Sequence, residues 1–309
     1  MENLTAIFFW GFLALYGITM TILSPKALTL GSFFKGEDKD GKKPSSLFIL
    51  TSSIFISWIF AKSVTNAANL GADYGIVGGI AYATYWLCIP LAGFVIYRLR
   101  RKFKANGLVN FLSDNYGKTA ALAFSAAILI RLFNEVWSNS SVIGEYYGAS
   151  GSNNFIIASS VFTIITLIYS MKGGLLSSLL IAKDLPNLKG IDLGNKSKII
   201  GMSVMALFAI VGNLPMVFGT NILAATTISG TMVKGLAPIF LIHGFIKPTK
   251  MGFHLSFWIG IFLGIAYTMG IIPKAFEIGD GKSALLLGVN LYGLVLCFLA
   301  YIVPGLIKK

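Results

Sequence analysis

The sequence has little charge. Only 12% of its 309 residues are Asp, Glu, Lys or Arg, whereas 55% are hydrophobic and the mean hydropathy is +0.77. A soluble domain of this length needs more charge to cover its surface. The longest polar stretches, residues 35–46 and 183–198, have the size of loops, so no separate soluble domain is expected. We therefore predict an all-α fold, a polytopic bundle of transmembrane helices that forms one membrane domain over residues 1–309.

Histidine and cysteine are also scarce. The two histidines argue against a metal or acid–base centre, and the chain has no Gly-x-x-x-x-Gly-Lys-Ser/Thr loop, paired-histidine metal motif or nucleophile elbow. We therefore do not expect an enzyme. The two cysteines, Cys88 and Cys297, both lie inside apolar runs, which argues against a disulfide framework and leaves their redox state open.

Acidic residues are outnumbered, with 12 Asp and Glu against 25 Lys and Arg, for a net charge of +13. In a soluble protein this excess would indicate nucleic acid as a partner. Here the basic residues lie in short stretches between apolar runs, where they orient membrane spans and contact anionic lipid headgroups. We therefore expect membrane lipid, and no nucleic acid, as a partner. The first apolar run lacks a preceding basic region and a following cleavage site, which predicts a retained span rather than a signal peptide.

Apolar runs of about 20 residues predict the membrane spans. Nine segments qualify: 7–23, 47–70, 76–97, 119–143, 155–171, 199–217, 221–246, 253–272 and 285–307. The loops after the odd-numbered spans carry most of the lysines and arginines, and the loops after the even-numbered spans carry few. Because basic loops stay in the cytoplasm, we expect the N-terminus outside and the C-terminus in the cytoplasm. The expected location is a bacterial inner membrane.

The second predicted span changes character along its length. After Trp58 it continues as Ala-Lys-Ser-Val-Thr-Asn-Ala-Ala-Asn-Leu-Gly over residues 61–71. A lysine, two hydroxyls and two amides at membrane depth are costly unless they face protein or water. Small and polar residues at this place favour a helix that unwinds and offers backbone carbonyls to a cation. The other interpretation is a span that ends at Ala61 and is followed by a polar outer loop.

Several stretches, in order, resemble the sodium:solute symporter family. They are residues 57–71 in the second span, the basic loop 97–102, the segment 110–117 before the fourth span and the aromatic-then-Gly-Gly exit 168–174. On this resemblance residues 1–178 correspond to family spans one to five, and residues 182–309 to the last four spans. The four spans between them are absent from this chain. The resemblance implies a LeuT-like inverted-repeat core that is incomplete.

The resemblance also implies residues for sodium, the expected coupling ion and the only cofactor predicted. Matching the second span places carbonyl ligands at Ala61 and Val64, with Ser63 and Thr65 at polar ion or substrate contacts. The family's paired hydroxyls from its ninth span have no counterpart, because that segment is missing. Sodium coupling is therefore an expectation that depends on the second span.

Other polar residues inside spans are candidates for contact with a solute: Lys62, Asn66, Asn69, Arg131, Glu135, Trp137 and Lys234. Lys62 either binds an anionic group or extends toward an aqueous vestibule. Arg131 and Glu135 are four residues apart, on one helical face, and can pair. Their surroundings line a polar cavity or clamp two helices together, and the sequence leaves both open. Lys234 requires a partner or water.

The function that the resemblance implies is sodium-coupled secondary transport of a small polar organic solute by alternating access. Three kinds of solute fit: an amino acid such as proline, urea, and a small carboxylate. The missing spans leave alternatives: a transport-inactive relic, one half of a split transporter, or a membrane sensor or scaffold. A partner chain or self-association is then expected to supply the missing helices.

Overall fold

The computed structural model describes residues 2–24, 61–173, 194, 196–213, 229–281 and 283–307. Every regular element in these residues is helical. Short 3₁₀ turns at Tyr85–Leu87, Lys234–Leu236 and Lys274–Phe276 interrupt the series. The α-helices are α1 (Glu2–Leu23), α2 (Ala61–Thr84), α3 (Cys88–Arg101), α4 (Leu108–Tyr116), α5 (Lys118–Glu145), α6 (Asn153–Gly173), α7 (Lys196–Gly212), α8 (Ala237–Leu241), α9 (Lys250–Thr268) and α10 (Ala284–Ile307).

Six helical stretches of the described residues are long and apolar enough to cross a membrane: Ala6–Leu23, Lys62–Arg101, Lys118–Glu145, Asn153–Lys172, Lys250–Thr268 and Ala284–Ile307. The prediction of an all-helical membrane protein is thereby confirmed. The count of nine spans stays a prediction. Residues 47–60 of the second predicted span, 214–217 of the sixth and 221–228 of the seventh lie outside the described residues, as do the polar stretch 35–46 and residues 182–193.

The predicted loop around Asp73, between the second and third spans, is replaced by a kink at Gly75 that joins two helical segments. Residues around Asp73 belong to α2, and the helical stretch that begins at Lys62 continues to Arg101. Ala67, Ala68, Leu70 and Ala72 surround this point, and their high helix propensity offsets the polar residues between them. The backbone leaves the helical conformation at Gly75 instead, with φ 60° and ψ −143°.

The chain forms two compact units, and each combines two stretches of sequence. The first unit contains Met1–Thr84 and Leu129–Ile222, and the second contains Tyr85–Ile128 and Leu223–Lys309.

In the first unit, α6 packs against three neighbours. It runs parallel to α1, where Lys172 Nζ donates to the Thr21 carbonyl over 2.7 Å. It runs antiparallel to α5, where Ser159 Oγ donates to the Ser140 carbonyl over 3.1 Å. Small polar residues at these contacts let membrane helices approach closely. Against α7, Leu167 and Met171 of α6 pack on the buried Met205.

In the second unit, α9 and α10 form an antiparallel pair, and a broken helix lies against both. The break is the 3₁₀ turn Lys234–Leu236. Gly235 and Gly260 face each other so closely that a Cβ on Gly260 would lie 2.7 Å from the Gly235 nitrogen. The buried Ser256 hydroxyl donates to the Gly235 carbonyl over 2.7 Å. A carbonyl at the helix break is thus satisfied inside protein, as a membrane requires.

Candidate functional site

The first unit contains three charged side chains in contact within membrane-crossing helices. Lys62, in the first turn of α2, is 5% exposed, and its Nζ contacts Glu135 Oε2 of α5. Arg131, one turn earlier on α5, places Nη2 3.2 Å from Glu135 Oε1. The predicted pairing of Arg131 and Glu135 is confirmed. Glu135 also pairs with Lys62, so one carboxylate is shared by two cations.

Asn139 joins this cluster from the next turn of α5. Its Nδ2 donates to the Glu135 carbonyl over 2.8 Å, and its Oδ1 accepts from the backbone N–H of Lys62 over 3.3 Å. The side chain and the backbone of Lys62 are therefore both attached to α5. We call Lys62, Arg131, Glu135 and Asn139 the charged cluster.

The energetics of the charged cluster depend on all its members. Moving an ion from water into a low-dielectric interior costs several kcal/mol, and a paired ion recovers that cost only with good geometry and further hydrogen bonds. Glu135 provides the geometry, since each of its oxygens contacts a different cation. Such intramembrane charges are rare and generally face a bundle interior or an aqueous cavity.

A polar stripe leads along α2 to the charged cluster. Residues 62, 66, 69 and 73 share one helical face, because successive steps of three or four residues return to the same side. Asn66 is 4% exposed, and its Oδ1 accepts no hydrogen bond from any described residue. Asn69 and Asp73, further along, are exposed. The stripe thus runs from exposed to buried positions over about 16 Å of helix.

The residues predicted to bind sodium lie in the first turns of α2. Ser63 is buried and Val64 is 60% exposed, whereas Thr65 is half-buried. The helix is regular from Ala61 to Tyr74, so the carbonyls of Ala61 and Val64 are in position to accept helical hydrogen bonds. The predicted unwinding over residues 61–71 is absent here, and the break lies at Gly75. Whether these residues bind sodium stays a prediction.

Trp137 and Lys234 are not members of the charged cluster. Trp137 is buried, but it follows Glu135 by two residues and so points from the opposite side of α5. Lys234 belongs to the second unit, where its Nζ donates to the Val289 carbonyl of α10 over 2.6 Å. The predicted need of Lys234 for a partner is confirmed.

A buried aromatic cluster in the second unit was not predicted. Tyr116 Oη lies 2.7 Å from His243 Nδ1 and 2.6 Å from Tyr301 Oη. His243 follows α8, outside the six membrane-crossing stretches, and Arg98 donates to its carbonyl over 2.8 Å. Burial, with a smaller effect from the Arg98 charge, lowers the pKa of His243 to about 4. Burial also raises the pKa of Tyr116. The one sequence signal that could have indicated the burial of His243 is the apolar character of its neighbours in the chain.

Comparisons with known proteins return no relative: no protein-family model, curated protein or solved structure matches this chain.

Proposed function

We propose that this protein is a secondary transporter that couples sodium to the movement of a small polar organic solute by alternating access. The observation that carries the proposal is the charged cluster, which joins α2 to α5 within membrane-crossing helices. Ionisable residues at such positions mark substrate or ion pathways more often than they serve stability, because burial is costly.

The polar stripe supports a solute pathway. A helix face that carries Lys62, Asn66, Asn69 and Asp73 is unsuited to contact with lipid, so water or a polar solute is its expected neighbour. The unpartnered Oδ1 of Asn66 accepts a hydrogen bond from a solute N–H group. One helical turn away, the ammonium group of Lys62 attracts a carboxylate. A solute with one or both groups, such as an amino acid, urea or a small carboxylate, satisfies this arrangement.

Sodium coupling is the part of the proposal that rests on the family resemblance. Neutral oxygen ligands from an unwound helix suit sodium. Because α2 is helical over Ala61–Tyr74, sodium binding at Ala61, Ser63, Val64 and Thr65 requires the first turn of α2 to open. The same helix is kinked at Gly75, one residue after this segment.

Uptake into proteoliposomes tests the proposal. Purified protein is reconstituted, and the uptake of radiolabelled proline, urea and acetate is measured under an inward gradient of sodium or of choline. We expect at least one solute to accumulate with sodium and not with choline. Lys62→Met and Glu135→Gln each reduce that uptake at least tenfold, since each leaves the charged cluster incomplete.

Lys172→Met is the matched control. Lys172 is also a lysine of the first unit, but it donates to a backbone carbonyl at the end of α6 and contacts none of the charged cluster. This variant keeps wild-type uptake. Folded protein that moves none of these solutes with either cation overturns the proposal and favours a transport-inactive chain, a subunit of a split transporter, or a sensor. If Lys172→Met loses as much uptake as Lys62→Met and Glu135→Gln, the loss is not specific to the charged cluster and its proposed role is rejected.

A further inference from the structure

Lys234 lies where the broken helix of the second unit changes geometry. Residues 229–233 are helical, a 3₁₀ turn covers Lys234–Leu236, and α8 follows. The side chain of Lys234 extends across to α10 and donates from Nζ to the Val289 carbonyl over 2.6 Å. It passes over Gly293, where a Cβ atom would collide with Nζ. The glycine thus leaves the space that the ammonium group occupies.

The charge of Lys234 has no acidic partner in the membrane-crossing part of its unit. The sequence of this unit contains three carboxylates, Asp114, Glu277 and Asp280. Asp114 lies on α4, and the other two lie in the segment between α9 and α10, so none is on a membrane-crossing helix. The Val289 carbonyl is uncharged and is already placed to accept a helical hydrogen bond. Because the ammonium group of Lys234 contacts α10, which is a membrane-crossing helix, its charge calls for a counter-charge.

The broken helix has a second polar contact with α10, at the residue that follows Val289. Thr231, one turn before Lys234, donates from Oγ1 to Asn290 Oδ1 over 3.0 Å. This bond fixes the carboxamide of Asn290, the residue after Val289, and leaves Nδ2 as its donor end. Leu263 of α9 lies beside Gly293 and supplies an apolar wall. An ammonium group, a carboxamide N–H and an apolar wall form a setting suited to an anion.

We propose that Lys234 and Asn290 form a binding site for a small monovalent anion, either a halide or a carboxylate. The anion neutralises the ammonium charge and accepts from both donors. The site lies in the second unit, so it does not depend on the transport activity proposed for the charged cluster.

Anion-dependent stability of the purified protein tests this site. The thermal unfolding midpoint is measured in detergent at constant sodium concentration and ionic strength, while chloride or acetate replaces the bulky gluconate ion. Ligand that binds only the folded state raises the midpoint with a saturable concentration dependence. We expect such a rise with chloride, with acetate or with both. A rise with chloride alone identifies a halide site, and a rise with acetate alone identifies a carboxylate site.

Variants connect the effect to Lys234. Lys234→Met abolishes the saturable rise, and Asn290→Leu weakens the apparent affinity at least tenfold. Gly293→Ala displaces Nζ of Lys234 and also weakens the apparent anion affinity at least tenfold. If Lys234→Met does not fold, Asn290→Leu and Gly293→Ala serve as the test. Lys274→Met is the control, because Lys274 is an exposed lysine of the same unit. It keeps the wild-type response.

Two results overturn the proposal. The first is a wild-type midpoint that is the same in chloride, acetate and gluconate. The second is a saturable rise that persists in folded Lys234→Met or disappears in Lys274→Met. Because sodium is held constant, failure here leaves the proposed sodium-coupled transport untouched, and failure of transport leaves this binding assay interpretable.

Discussion

At the scale of single residues, the carboxylate of Glu135 stabilises the charges of both Lys62 and Arg131. Glu135→Gln leaves Lys62 and Arg131 without their shared carboxylate, and breaking a buried ion pair from one side costs about 3–5 kcal/mol. We therefore expect the free energy of unfolding, measured by denaturant titration in mixed micelles, to fall by that order.

The double variant Lys62→Met/Glu135→Gln supplies the control for this prediction. It removes one cation together with the carboxylate, so it should be more stable than Glu135→Gln alone. If the double variant is less stable than the wild type by the sum of the two single-variant losses, Lys62 and Glu135 act independently and the prediction fails.

His243 gives the protein a dependence on acid. Its pKa is about 4 in the folded protein and about 6.5 in an unfolded chain, so between these values the unfolded state binds more protons. The contribution of His243 to the free energy of unfolding is therefore fully present above pH 6.5. It is lost as the pH falls toward 4, by about 1.4 kcal/mol per pH unit. We expect the free energy of unfolding to show this slope between pH 6 and 4.5.

His243→Asn tests the origin of that slope. The amide keeps a polar atom near Tyr116 and does not titrate, so the variant should lose stability at pH 7 but respond less to acid. A slope that is unchanged in His243→Asn would assign the acid response to other groups.

Residue-level predictions from sequence succeeded where the partners are close along the chain. Arg131 and Glu135 are four apart on one helix, and the periodicity of the helix alone predicts their contact. Lys62 and Glu135 are 73 positions apart, and His243 and Tyr116 are 127 apart. Such pairs depend on how helices pack, which local spacing does not encode.

At the scale of elements, Gly75 determines the shape of α2. Its φ of 60° and ψ of −143° fall in a region that is essentially restricted to glycine, so Gly75→Ala should cost about 1–3 kcal/mol or straighten the helix. Gly79→Ala is the matched control: Gly79 lies in the same helix with open space around it and should change stability by less than about 1 kcal/mol. Unfolding titrations of the two variants make the comparison, and equal effects would contradict it.

The sequence predicts helix existence better than helix interruption. Predicted spans 119–143, 155–171 and 285–307 agree with α5, α6 and α10 to within two residues at every end, because long apolar runs are unambiguous. The break in α2 was expected among polar residues 61–71 and occurs at Gly75. Polar residues indicate where a helix break can be solvated or hydrogen-bonded. The backbone itself bends at a glycine, because a residue without a Cβ can adopt the conformation that the bend needs.

At the scale of the whole molecule, the directions of packed helices agree with alternating crossings. In the first unit α5 and α6 are antiparallel, and α1 and α6, predicted as first and fifth spans, are parallel. In the second unit α9 and α10 are antiparallel, since a Cβ on Gly252 near the start of α9 would lie 2.8 Å from the Tyr301 carbonyl near the end of α10. These directions are relative, so which side faces the cytoplasm rests on the basic loops.

Labelling on either side of α5 decides the orientation. Asn106 and Ser150 are exposed residues before and after this helix. The segment 98–104 before Asn106 carries five lysines and arginines, whereas none lies between Glu145 and Ser150, so Asn106 is expected in the cytoplasm. In a background with Cys88 and Cys297 replaced by Ala, a membrane-impermeant thiol reagent should label Ser150→Cys in intact cells. It should label Asn106→Cys only after the membrane is opened. The reverse pattern would invert every predicted loop, and labelling of both in intact cells would mean that α5 does not cross the membrane.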